Sequence, residues 1–97
     1  MRNLEDIQAV LRAQLPYLRE HYQVESLGIF GSFVRGEQTT CSDVDLLVTF
    51  SKAPDLIEFV GLKLYLEGAL GITVDLSTPG GLKKYLAPYI LREILYL

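Results

Sequence analysis

The sequence predicts an α+β domain, a sandwich of the α/β type in which helices pack on a small mixed sheet of three strands or slightly more. Three observations predict it. Short stretches with apolar residues on alternate positions occur at 24–30, 43–50 and 72–77. Longer stretches with helical apolar spacing lie before, between and after them. Clusters of Gly, Pro, Ser and Thr separate the two kinds. The order is α-β-β-α-β-α, without an internal repeat, a low-complexity tract or a linker. Ninety-seven residues make a single domain, 1–97, with no room for a second core.

In the first element Leu4, Ile7, Val10, Leu11, Leu15 and Leu18 follow helical spacing, with Glu5, Gln8, Arg12, Gln14 and Arg19 elsewhere. Pro16 has no N–H to donate and its ring crowds the preceding turn, so this helix should break or kink there and finish by His21. Residues 24–30, VESLGIF, read as a strand ending in a Gly-containing turn. Residues 33–38 have room for one helical turn, and Gly36, Thr39, Thr40 and Ser42 mark a loop. The second strand, 43–50, is closed by Ser51-Lys52-Ala53-Pro54. A second helix, about Asp55 to Ala69, carries Phe59, Leu62, Leu66 and Leu70 on one face, with Gly68 and Gly71 bracketing its end. ITVDLS, 72–77, is a third strand, and Thr78-Pro79-Gly80-Gly81 a turn. A last helical segment carries Leu82, Tyr85 and Leu86, meets Pro88, and resumes through Ile90, Leu91 and Ile94.

Composition narrows the function classes. The chain is 49% apolar, with a mean hydropathy of +0.24, which is greasy for its size and leaves room for a partner-covered surface. Its net charge is −3, and no Lys/Arg cluster exceeds the pair Lys83-Lys84. That field argues against sequence-independent binding to nucleic acid, though not against a nucleotide. The single Cys41 cannot form an intramolecular disulfide and suits a reducing compartment. Residues Met1 to Asp6 carry no signal-peptide core, and no apolar run reaches the roughly 18 residues of a membrane span. A cytoplasmic protein is expected.

The stretch GSFVRGEQTTCSDVDLLVTF, 31–50, departs from what folding alone would select. Side chains on a strand alternate faces. Val44, Leu46, Val48 and Phe50 therefore share a core-facing stripe, and Asp43 and Asp45 share the other face. In the third strand Ile72, Val74 and Leu76 form the stripe, which puts Asp75 opposite. If these strands are neighbours in register, three carboxylates converge on one side of the sheet. Close anions repel, divalent cations relieve the repulsion, and hard oxygen ligands select Mg²⁺ or Mn²⁺. Two aspartates on alternate positions can clamp two ions about 3.5–4 Å apart, the geometry of phosphoryl and nucleotidyl transfer.

Gly31-Ser32 supplies the complementary part. A glycine after a strand lets backbone approach a phosphate, and the N–H groups of the following turn can hold its oxygens. Ser32 adds a hydroxyl, and Arg35, one turn on, adds a planar fork of donors. Each piece alone is common in turns and on surfaces. Together, Gly-Ser followed after ten residues by Asp-x-Asp should arise by chance on the order of once per thousand chains of this length.

Those residues resemble a known signature. Gly31-Ser32, ten intervening residues and Asp43-Val44-Asp45 look like the motif of the DNA polymerase β-like nucleotidyltransferase superfamily, and GSFVRG followed by SDVDLLV resembles its minimal nucleotidyltransferases, the MntA-type antitoxins. The resemblance covers nearly the whole chain, including the VDLST strand and the tail from Tyr89 to Leu97. It implies a polymerase β-like core in which Asp43 and Asp45 bind both Mg²⁺ ions and Asp75 the ion that activates the acceptor hydroxyl. It implies that Gly31 and Ser32 hold the nucleoside triphosphate, with Arg35 and Ser42 assisting. It further implies an antitoxin that transfers AMP from ATP to a tyrosine of a partner HEPN-domain ribonuclease toxin. No motif element is missing.

Two alternatives stand beside that enzyme. A binding antitoxin would occlude its toxin through the apolar tail at 90–97, unless that tail packs back on the sheet. Transfer to a free small acceptor is the other, although the chain has no length for a separate acceptor-binding domain. Tyr85, Tyr89 and Tyr96 read as core or interface aromatics, and His21 as a helix C-terminal cap or a solvated residue.

Overall fold

A computed structural model describes residues 3–97; the reading of the N-terminus at Met1 and Arg2 lies outside them. Helix α1 spans Leu4–Tyr22, capped by the Asn3 side chain, which accepts the Asp6 N–H at 2.8 Å. It runs without a break through Pro16, against expectation. Pro16 and Arg12, whose carbonyl loses its partner, both face solvent, while Leu11, Leu15 and Leu18 hold the flanking turns in the core. At this exposed position solvent can stand in for the missing donor, and burial on the other side keeps the helix together.

Strand β1 (Val24–Phe30) ends in Gly31, and the single turn α2 (Ser32–Arg35) follows. Strand β2 is Val44–Phe50, so Asp43 sits just before it. Helix α3 (Leu56–Leu70) begins with a reciprocal cap: the Asp55 side chain accepts from Glu58 N–H and the Glu58 side chain from Asp55 N–H. Strand β3 is Val74–Ser77, and a 3₁₀ turn at Pro79–Gly81 leads to α4, Ala87–Glu93.

The end of the chain differs from the sequence reading in three ways. Pro88 lies in the first turn of α4, where its fixed φ favours starting a helix and its absent N–H is no loss. Ile94 leaves the helix with φ −60° and ψ 136°, and Leu95–Tyr96 form a short strand, β4. Tyr85, Tyr89 and Tyr96 are all more than half exposed and are not core aromatics.

The sheet runs β3-β2-β1-β4, with β1 antiparallel to both β2 and β4, and β2 parallel to β3 through the α3 crossover. Its two faces differ. On one, Leu27, Ile29, Val44, Leu46, Val48 and Val74 are buried beneath α1 and α3, which contribute Ile7, Leu11, Leu18, Leu62, Leu66 and Leu70. The other face carries Phe30, Asp45, Leu47 and Asp75, and the C-terminal arm from Pro79 onward lies across it. The arm comes close. A Cβ on Gly28 would stand 2.6 Å from Ile94 Cδ1, so glycine lets Ile94 lie on the strand without shifting its side chain. Leu97 N–H donates to the Leu27 carbonyl at 3.0 Å. The apolar tail thus packs back on the sheet, leaving one side of Leu95 and Tyr96 outside.

Candidate active site

The strand register brings the carboxylates together. Asp45 pairs with Asp75 across β2 and β3, and Phe30 pairs with Asp45 across β1 and β2, so all three side chains project from one row of one face. Asp43 precedes β2 on the same side, and its carboxylate accepts a hydrogen bond from the Thr73 hydroxyl at the entrance to β3. The two strands are therefore neighbours in register, the condition on which the convergence depended, and they run parallel.

This crowding has a measurable consequence. Asp45 is pushed up to about 6 from its ordinary 3.8, first by burial and then by repulsion from Asp75 and Asp43. Arg35 pulls the other way, and a hydrogen bond shared with Asp75 raises it further. Among the described residues, no group of three or more His, Cys, Asp or Glu side chains is set to hold a metal ion as it stands. The donor set nevertheless has the right chemistry: hard carboxylate oxygens on adjacent strands, one of them penalised for being ionised without a counter-charge. Asp43 engaged with Thr73, and Asp45 with Asp75, are the contacts that an ion would have to exchange.

Gly31 is required by two independent facts. Its φ of 83° and ψ of −153° fall in a region that essentially only glycine occupies. A Cβ there would also run into the Asp45 carboxylate, with Oδ2 as its nearest neighbour and Cγ at 2.9 Å. The backbone turn and the carboxylate cluster are consequently in van der Waals contact. The Gly31 turn and the Asp45 carboxylate lie side by side, as the loop between them allows. Ser32, half-buried, opens α2 directly beyond Gly31.

Two predicted residues are engaged elsewhere in this structure. Arg35 donates through Nε to Glu37 at 2.7 Å and through Nη1 to both oxygens of Glu93 at 3.0 Å. The Ser42 hydroxyl accepts from Thr39 N–H at 2.8 Å and stabilises the loop ahead of β2. Three further residues enter the site without having been read from the sequence: Thr73, Glu37 and, most closely, Glu93. The Gly31 amide donates to the Glu93 carboxylate, so one side chain from the end of α4 binds both the turn and Arg35. A contact spanning 62 residues leaves no local signal in the sequence.

Beside Asp75, the gap between the sheet and the arm opens into a cavity of about 270 Å³. Phe30, Leu82, Leu86 and Ile90 line it with Ser77 and Lys83. Among the described residues, no helix is long and apolar enough to cross a membrane.

Comparison with known proteins agrees with this geometry. The pattern that defines the nucleotidyltransferase domain matches residues 11–97. Over 97 residues the chain is 45% identical to "Protein adenylyltransferase MntA" from Thermococcus cleftensis, covering 100% of this chain and 98% of the relative. A solved structure of a minimal nucleotidyltransferase superimposes with a TM-score of 0.83 at 38% identity, covering 99% of this chain and 97% of that one. A chain in a solved toxin–antitoxin structure with AMP-PNP has a TM-score of 0.68 at 25% identity, covering 98% of this chain and 72% of that one.

Proposed function

Since this chain belongs to the nucleotidyltransferase domain family, we propose that it is a magnesium-dependent protein adenylyltransferase, the antitoxin of a toxin–antitoxin pair. Its donor is ATP, and its acceptor is a tyrosine of a HEPN-family ribonuclease toxin, which AMP transfer neutralises. The observation that carries this reading is the contact of the Gly31 turn with Asp45 in a row completed by Asp75. Full-length similarity to a protein adenylyltransferase supports it. We assign the activity to residues 1–97 as one unit and place it in the cytoplasm.

The residues divide the work. Gly31 N–H and Ser32 hold the triphosphate, Arg35 adds charge at the same phosphates, and Ser42 steadies the loop that delivers Asp43. Asp43, Asp45 and Asp75 hold two Mg²⁺, which when bound supply the positive charge that lowers the pKa of the acceptor hydroxyl and stabilises the leaving pyrophosphate. Asp45 serves a cation only when ionised, so burial and repulsion, which hold it near 6, tie metal binding to pH. In the reaction the phenolic oxygen bonds to the α-phosphorus while the bond from that phosphorus to the pyrophosphate breaks.

One observation favours a second reading, occlusion of the toxin by binding alone: Tyr85, Leu86, Tyr89 and Leu91 are exposed along the arm. Intact mass spectrometry separates the two. Incubated with this protein, ATP and Mg²⁺, the HEPN toxin encoded beside it should gain mass in steps of one AMP. The gain should vanish with Asp43→Ala/Asp45→Ala. An unchanged toxin mass in a stable complex would reject the enzymatic reading and leave occlusion.

A further inference from the structure

Glu93 occupies a peculiar position for an acidic residue. It reaches from the last turn of α4 to the backbone amide of Gly31, to which the proposed function gives a phosphate oxygen, and it also engages Arg35 through both carboxylate oxygens. A carboxylate presents two anionic oxygens on one centre, much as one edge of a phosphate does. Its side chain is about one-fifth exposed, whereas the Arg35 side chain is about half exposed. The contact is thus the better sheltered of the two that Arg35 makes. No other carboxylate of the fold reaches the Gly31 amide among the described residues.

We propose that Glu93 is a built-in occupant of the phosphate cradle. It holds the Gly31 amide and Arg35 ready in the nucleotide-free protein, and the triphosphate must displace it to bind. This rests on the reading of Gly31 and Arg35 as phosphate ligands. The amide has a single hydrogen, and Glu93 and a phosphate oxygen cannot both take it in a full hydrogen bond. Displacement has a structural consequence, because Glu93 is the residue before the C-cap Ile94 and the strand β4. Loss of its contacts removes the polar tether that draws α4 to the Gly31 turn. What remains includes the packing of Ile94 on Gly28, the two residue pairs of β4 with β1 and the hydrogen bond from Leu97 N–H to the Leu27 carbonyl. Nucleotide binding and loosening of the arm are therefore coupled.

The test combines calorimetry and hydrogen exchange on the intact protein. A non-hydrolysable ATP analogue with Mg²⁺ is titrated into the wild type and into Glu93→Gln, which keeps the side-chain size and removes the charge. The variant should bind about tenfold more tightly, since roughly one charge-assisted hydrogen bond of competition is gone. In the wild type, saturation with the analogue should speed amide exchange over residues 87–97, a readout that needs no variant to fold. Equal or weaker binding by Glu93→Gln overturns the competition, and slowed exchange over 87–97 overturns the coupling. A folded wild type with no affinity for the analogue overturns the nucleotide site itself, and this inference with it. A protein that binds the analogue but modifies no toxin breaks only the functional reading.

Discussion

The two faces of strand β2 are built on opposite principles. Val44, Leu46 and Val48 are wholly buried under α1 and α3, with apolar neighbours on every side. One pleat away, Asp45 faces the like charges of Asp43 and Asp75 and lies against the Gly31 backbone. The first face gains stability from burial and fixes register, because a one-residue slip would bury the aspartates and expose the valines. The second face gives up stability to concentrate charge. Val44–Phe50 and the residue before them thus carry both a buried apolar stripe and a crowded carboxylate, and burial of the first offsets repulsion at the second.

Substitutions on either face should break this contrast to different degrees. Leu46→Ala removes a fully buried side chain from the middle of the sheet and should lower stability by about 2–5 kcal/mol, read from urea unfolding. Gly31→Ala adds a single carbon on the charged side. It should cost about 1–3 kcal/mol from its backbone conformation alone. It should also push Asp45 aside, so AMP transfer falls much further than the melting temperature does.

The smallest effect has the opposite sign. Between about pH 4 and 6 the folded protein keeps a proton on Asp45 that the unfolded chain, titrating near 3.8, has lost. The native state binds more protons in this window, so this group's contribution makes stability fall as pH rises, and above about 6 the loss is complete. Asp45→Asn should remove that slope in thermal melts taken from pH 4 to 7.5, and should melt higher than the wild type at neutral pH. Mg²⁺ should raise the melting temperature of the wild type at neutral pH and leave the variant unmoved. A wild type whose stability is flat across this window would show that the charged face carries no such penalty.

The same contrast explains what was legible in the sequence. Period-two alternation in β2 and β3 revealed both the core stripe and the shared side of Asp43, Asp45 and Asp75, because alternation is a local property of a strand. The start of α3 near Asp55 and the glycine after β1 were also local and readable. Pro16 misled because its effect depends on which side of α1 meets water, and that depends on the sheet. The apolar run at 90–97 continues a helical rhythm, yet pairing with the free edge of β1 ended the helix at Glu93 and made Leu95–Tyr96 a strand. Glu93 and Thr73 carry no signature, since each matters only through a partner far away in the chain.

The parallel pairing of β2 with β3 has a last implication. Asp45 and Asp75 are distant in sequence and become neighbours only once the whole α3 crossover has folded and docked. A chain still emerging from the ribosome, or one clipped ahead of β3, holds Asp43 and Asp45 without their third companion. The row of carboxylates on this face is therefore complete only in a chain folded through β3.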